Sequence, residues 1–196
     1  KNEDTVIDYT ENEVRIENTV GFGKSIGKDL TEIRNETKVS PLLNIRYKET
    51  LLPLTNSILL IAGKAGLFEN IIRIEKEDYF VLTEVGYMEI GDDLAFAIVP
   101  GELAPELAYG GCLTSEYSWS GEDFKYPSMQ EIVTASGSDR TLHVIGLAND
   151  QVGYIVPDND YMSMIHEDSK SIEFVSLGKE TASKLVMAFE DVVNNK

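Results

Sequence analysis

Two runs rich in aromatic and β-branched residues, Tyr79 to Ile90 and Leu94 to Val99, flank Gly91-Asp92-Asp93. Residues of these types favour strands, and a short Gly/Asp connection lets the chain reverse, so an antiparallel hairpin is expected here. Its second strand runs directly into Pro100-Gly101-Glu102. Proline ends the ladder, and a helix is expected near Leu103 to Tyr109. A further apolar run, Thr141-Leu142-His143-Val144-Ile145, reads as a buried strand and opens into the Asn/Asp/Gly-rich stretch Gly146 to Tyr161. Loops at the carboxyl ends of strands are where sites sit, so two strand ends could bring Glu102 and Tyr154 together. The last element, Lys179 to Asn194, places Ala182, Leu185, Val186, Phe189, Val192 and Val193 on one stripe, a helix that should pack on the sheet. The expected fold is α/β, a mixed β-sheet packed by helices.

With 196 residues the chain is long enough for a sizeable core, and one compact domain over residues 1–196 is expected. A formal charge of -17 and a pI near 4.4 argue against nucleic acid, because no basic surface exists to displace counterions from phosphates. They also disfavour plain electrostatic attraction to anionic lipid; the ordinary consequence of such acidity is solubility. The single Cys112 can form no internal disulfide and supplies no CxxC pair, so it leaves the compartment open. No apolar run approaches the roughly eighteen residues of a membrane span. The chain begins at Lys1 without Met or a signal-like segment, and a natural polypeptide continuing upstream is expected.

Along the rest of the chain, residues 2 to 20 read as an edge strand or an arm. Gly21-Phe22-Gly23-Lys24-Ser25 fails both the Walker and the dinucleotide spacing and reads as a flexible turn. Ser25 can cap a surface helix carrying Ile26, Leu30 and Ile33 and ending before Pro41. Ile45, Tyr47 and Thr50 alternate ahead of Leu51-Leu52-Pro53-Leu54, which predicts a strand with proline at its exit. Asn56 or Ser57 caps a short helix through Ala62, and the all-round apolar run Ser57 to Ala62 should be buried. Residues 110 to 127, with Tyr117, Trp119 and Tyr126, form a long loop of the kind that serves as a lid or specificity element. Ser128 can cap a short helix through Thr134. Asp158-Asn159-Asp160 lacks the ligand run of a calcium loop and reads as a helix cap after Pro157.

A strand ending in Pro100-Gly101-Glu102, followed later by Gly146-Leu147-x-Asn149 with Tyr154 and then Tyr161, resembles the neutral/alkaline non-lysosomal ceramidase family. The similarity covers about the second half of that family's catalytic domain and continues to the last helix. The resemblance implies a ceramidase-like catalytic domain of which this chain is the carboxyl-terminal part, a zinc amidase acting on the N-acyl bond of a sphingolipid. It implies zinc as the cofactor, with Glu102 and Tyr154 as metal ligands, and an upstream part of the same protein supplying two histidines. A small-molecule amide or lipid is the implied substrate, and secretion or the cell surface the implied location. Val156, Pro157, Asn159, Asp160 and Tyr161 stand where the family usually has a Thr-Thr pair and Glu-Glu-Tyr, and Gln151 where many members have another tyrosine. Those changes line the expected substrate side.

On chemistry alone, Glu102 reads either as an ordinary surface carboxylate or as one kept ionised by a helix start just behind it. Tyr154 reads as a buried tyrosine with its hydroxyl hydrogen-bonded, because a phenol titrates near pKa ~10 and must lose its proton to bind a metal. A catalytic zinc usually takes three protein ligands and a water. Of the two histidines, His143 reads as a satisfied core residue and His166 as exposed, and neither is placed at the metal. No catalytic acid or base is assigned. Two functions are therefore expected in competition: part of a zinc-dependent amidohydrolase, inactive without its histidine-bearing portion, or a non-catalytic module that binds a ligand or partner.

Overall fold

The computed structural model describes residues 12–33, 38–67, 69–162 and 172–195. The chain divides into two compact units, Lys1–Lys38 and Val39–Lys196. Within the first, helix α1 spans Asn12–Glu32 without interruption. The expected strand or arm over its first part, the glycine turn and a helix start at Ser25 are all absent from it; residues 2–11 lie outside the described residues. The reason is cooperative. Each glycine costs a helix roughly 1 kcal/mol, and the Glu, Lys and Arg residues on either side propagate the helix through them. Thr19 Oγ1 donates back to Arg15 O at 2.8 Å, and Lys28 and Glu32 pair along one face at 3.9 Å.

The second unit is built on strands β1 (Leu43–Pro53), β2 (Ile71–Glu75), β3 (Asp78–Ile90), β4 (Leu94–Ile98) and β6 (Thr141–Ile145), with a separate pair β5 (Glu102–Leu103) and β7 (Tyr154–Ile155). The order is β1-β3-β4-β6, and β2 pairs with the first half of β3. Within this sheet all pairings are antiparallel except β4 with β6, so the sheet is mixed as expected. The β3–β4 hairpin turns at Gly91 with φ 62°, and a Cβ there would meet Val39 Cγ1 at 2.6 Å. Glycine is required on both counts. Strand β2 was not legible in the sequence; it turns into β3 through Lys76, a non-glycine with φ 58°.

One face of the sheet carries Val81, Val85, Tyr87, Ala97 and Leu142, all buried, against helices α4 (Met129–Ala135) and α5 (Thr181–Asn194). All six residues of the expected α5 stripe are buried. Phe189 meets Tyr87 edge to face with centroids 5.8 Å apart, and the Arg46 guanidinium lies over that ring, 5.0 Å from its centroid. The same Arg46 donates to Val193 O at 2.8 Å, closing orphan carbonyls at the end of α5. Glu89 pairs with Arg46 and with Arg140, the residue just before β6, which ties β1, β3 and the entry to β6 into one ionic network. Helix α4 begins with a full capping box between Ser128 and Glu131, and these bonds hold the Glu131 carboxyl below its ordinary range.

Two expectations fail here for physical reasons. Helix α2 (Ser57–Lys64) is capped by Asn56 as expected, yet it buries no residue completely, and Ile58 and Ile61 are exposed. Asn56 itself is the buried group: its amide donates to Ser176 O at 2.8 Å and Phe174 O at 3.1 Å while its oxygen caps α2. The helix is held by its cap and by Leu59 and Leu60, so all-round apolarity did not translate into burial. His143 is exposed on β6, its ring 5.4 Å from Phe96, because strand alternation turns it away from buried Leu142. Phe189→Ala is expected to destabilise the chain by about 3–5 kcal/mol, read from chemical denaturation, because it removes the ring at the centre of the α5–sheet contact.

Candidate functional site

Beyond Ile98 the chain leaves the main sheet and runs alongside the 147–155 segment. Val152 N donates to Pro100 O at 2.8 Å, Glu102 N to Gly153 O at 2.9 Å and Ala104 N to Ile155 O at 3.1 Å. These bonds form the parallel β5–β7 pair and set Glu102 directly opposite Tyr154. The approach is too close for side chains. A Cβ on Gly101 would meet Gly153 O at 2.4 Å, and one on Gly153, which has φ 81°, would fall 1.7 Å from Val175 O. The return loop is pinned by Leu147 N to Gly101 O and Ala148 N to Val99 O, with Leu147 and Asn149 both at positive φ. Asn149 holds that conformation while its amide donates to Glu84 on β3.

The two predicted site residues are therefore neighbours. The Tyr154 phenol donates a hydrogen bond to the Glu102 carboxylate; that bond and the carboxylate's charge push the phenol's pKa up from its ordinary value. Without a metal the pair holds a proton. A divalent cation taking up both oxygens would have to displace it. Glu102 differs from expectation in one respect. It sits on β5, and helix α3 (Pro105–Tyr109) starts three residues later with Glu106 in its first turn, so no helix end stands directly behind Glu102.

Glu102 and Tyr154 open onto a cleft of about 410 Å³ whose walls include Leu103, Pro105, Ile155 and Pro157, with Glu106, Cys112, Tyr117 and Asp160 at polar positions. Cys112 and Tyr117 belong to the long 110–127 segment, which is fastened rather than loose. Asn159, 6% exposed, donates to Leu113 O and Glu122 O, and Trp119 N donates to Asp160 Oδ1. The turn 158–160 caps no helix immediately after it among the described residues. Asp158 instead accepts from Ser183 N in the first turn of α5, and burial pushes its carboxyl up although those bonds pull the other way. Neither role had a sequence signal, since both join residues far apart in the chain.

As a zinc half-site the pair fits in chemistry, one carboxylate and one phenol on adjacent strands, but it is not a complete shell. Among the described residues no three His, Cys, Asp or Glu side chains are grouped to hold a metal. His143 lies on the main sheet, and His166 falls outside the described residues. Of the departures from the family pattern, Val156, Pro157 and Asp160 line the cleft, whereas Gln151 lines a separate groove of about 600 Å³ with Asn70 and Ile71.

A phenol whose folded pKa is raised contributes stability that is present below its ordinary pKa and lost as pH rises through the folded value. Glu102→Gln is expected to bring the Tyr154 titration back toward the ordinary tyrosine range, followed by phenolate absorbance against a Tyr154→Phe control. Gly153→Ala should cost more than about 1 kcal/mol in thermal unfolding, because neither the dihedral nor the Val175 carbonyl accommodates a methyl group.

No family model matches the chain, and no curated protein sequence matches it. Among solved structures it is similar to neutral ceramidase from Pseudomonas aeruginosa, with a TM-score of 0.58 and 14% identity, covering 98% of this chain and 34% of that one. The chain thus spans about a third of that ceramidase's length. At this identity the likeness is one of fold: the chain has the fold of part of a ceramidase.

Proposed function

We propose that this chain is the carboxyl-terminal portion of a zinc-dependent amidohydrolase resembling neutral ceramidase, cleaving an N-acyl amide bond. The observation that carries this reading is the strand pairing that sets Glu102 beside Tyr154 at the mouth of the cleft. Glu102 and Tyr154 would hold the zinc, and histidines from an upstream part of the same polypeptide would complete its shell. Bound there, zinc supplies a Lewis acid for the amide carbonyl and lowers the pKa of a water. Glu102 would offer the metal a carboxylate oxygen, and Tyr154 would offer its phenolic oxygen after losing its proton to solvent. Leu103, Pro105 and Ile155 offer an apolar wall suited to an acyl chain, while Asp160 places a carboxylate across the same cleft. The chain's own residues bind and orient; the catalytic acid and base are not assigned.

A second reading, a non-catalytic binding module, is favoured by the aromatic Tyr117 in the cleft wall and by the secure fastening of its loop, which would suit ligand binding without chemistry. The two separate in one experiment. The natural polypeptide containing this chain is expected to carry one zinc per molecule and to hydrolyse N-acyl amides. Tyr154→Phe and Glu102→Gln should each weaken zinc binding by at least about 100-fold, the upper end of what loss of an outer-shell partner costs, with a parallel loss of kcat/KM. Zinc-free protein that binds an amide without cleaving it would establish the second reading.

A further inference from the structure

The main sheet is apolar on both faces and covered on one. Side chains directly paired across strands share a face. The row Tyr87, Ala97 and Val144 faces α5 and α4. The alternate row, Ile45, Met88, Phe96 and His143, runs across β1, β3, β4 and β6 on the opposite face. No helix of this unit packs there among the described residues: α5 meets β1 and β3, and α4 meets β6, from the Tyr87 side. Leu43 is 62% exposed, Ile45 53%, Tyr47 71% and Ile145 40%. Strands that are apolar on both faces belong to sheets buried on both.

We propose that this face is the docking surface for an apolar layer of secondary structure carried by the upstream part of the same polypeptide; the inference rests on the reading above that such a part exists and supplies the missing metal ligands. Four strands at about 4.8 Å spacing and some six residues of length present a flat area of about 350 Å². A second copy of the chain docked on it would bury about 700 Å² in total, short of the roughly 1,200 Å² at which stable free complexes begin. The net charge of -17 on each copy opposes that association further. A single helix, about 10–12 Å across, leaves over a third of the roughly 19 Å width bare. A layer on the same polypeptide forms its contact within one molecule, without the entropy cost of bringing two molecules together. The position is also the right one for the site. β4 and β6 end at Ile98 and Ile145; the chain reaches Glu102 directly from the first end and Tyr154 by the return loop from the second. A layer stacked on the open face has its own loops at that same edge.

The test is thiol labelling in a Cys112→Ser background, with Ile45→Cys or Ile145→Cys as the probe and Lys184→Cys, exposed on α5, as the control. In the natural polypeptide both probes should label at least about tenfold more slowly than in the 196-residue chain, with the control unchanged. Equal rates in the two proteins would overturn the proposal. Protection already present in the 196-residue chain would overturn it too, assigning the face to a second copy if light scattering finds a dimer and to the chain's own residues if it finds a monomer. Labelling does not depend on metal or turnover, so slowed probes in a zinc-free, inactive polypeptide would uphold the docking surface while sinking the amidase reading.

Discussion

The site depends on two backbones meeting where no side chain can stand between them. Gly101 lets the segment after β4 pass the segment before β7 within hydrogen-bonding distance, Gly153 lets that second segment lie against the Val175 carbonyl, and the ladder from Pro100 to Ala104 accompanies these contacts. Register in a strand pair moves in whole residues, and a slip of one turns every side chain to the other face. Glu102 and Tyr154 therefore share a side because the main chain aligns them. Their own attraction, a hydrogen bond between phenol and carboxylate, is a result of that alignment and too exposed to cause it.

The scaffold behind this crossing is one-sided. Helices α4 and α5 seal one face of the sheet, and Arg46 links the edge strand β1 to the last turn of α5 and to Tyr87 at once. Burying one charged group from the edge strand is tolerable because Glu89 and the helix carbonyls share it. The opposite face carries the same kind of apolar rows, and among the described residues no helix of this unit packs over them. The likeness in fold to a ceramidase extends over about a third of that protein's length.

Much of this was legible in the sequence wherever periodicity and burial coincide. The α5 stripe, the β3–β4 hairpin and the Ser128 cap all combine a local pattern with a local cause, and the structure has them. Pro100-Gly101-Glu102 and Tyr154 could be paired in advance because each follows a strand of the same sheet. Reading failed where a nonlocal partner decides. Asn56, Asp158 and Asn159 look like ordinary turn residues, yet each bonds to backbone far along the chain. His143 looks like a core residue because the run around it is apolar, whereas β6 buries only Leu142 fully. The glycines at 21 and 23 were read as a break, whereas a helix already under way passes through them at modest cost.

Asn159 gives the cleft an unexpected mechanical character. Its amide grips two carbonyls of the 110–127 segment from within the turn that follows β7, so the wall bearing Cys112 and Tyr117 is joined to the floor bearing Tyr154 and Pro157. Such a wall cannot swing as a flap without first tearing a buried amide from its acceptors. A molecule entering the cleft would meet, on the Cys112 and Tyr117 side, a wall of fixed shape.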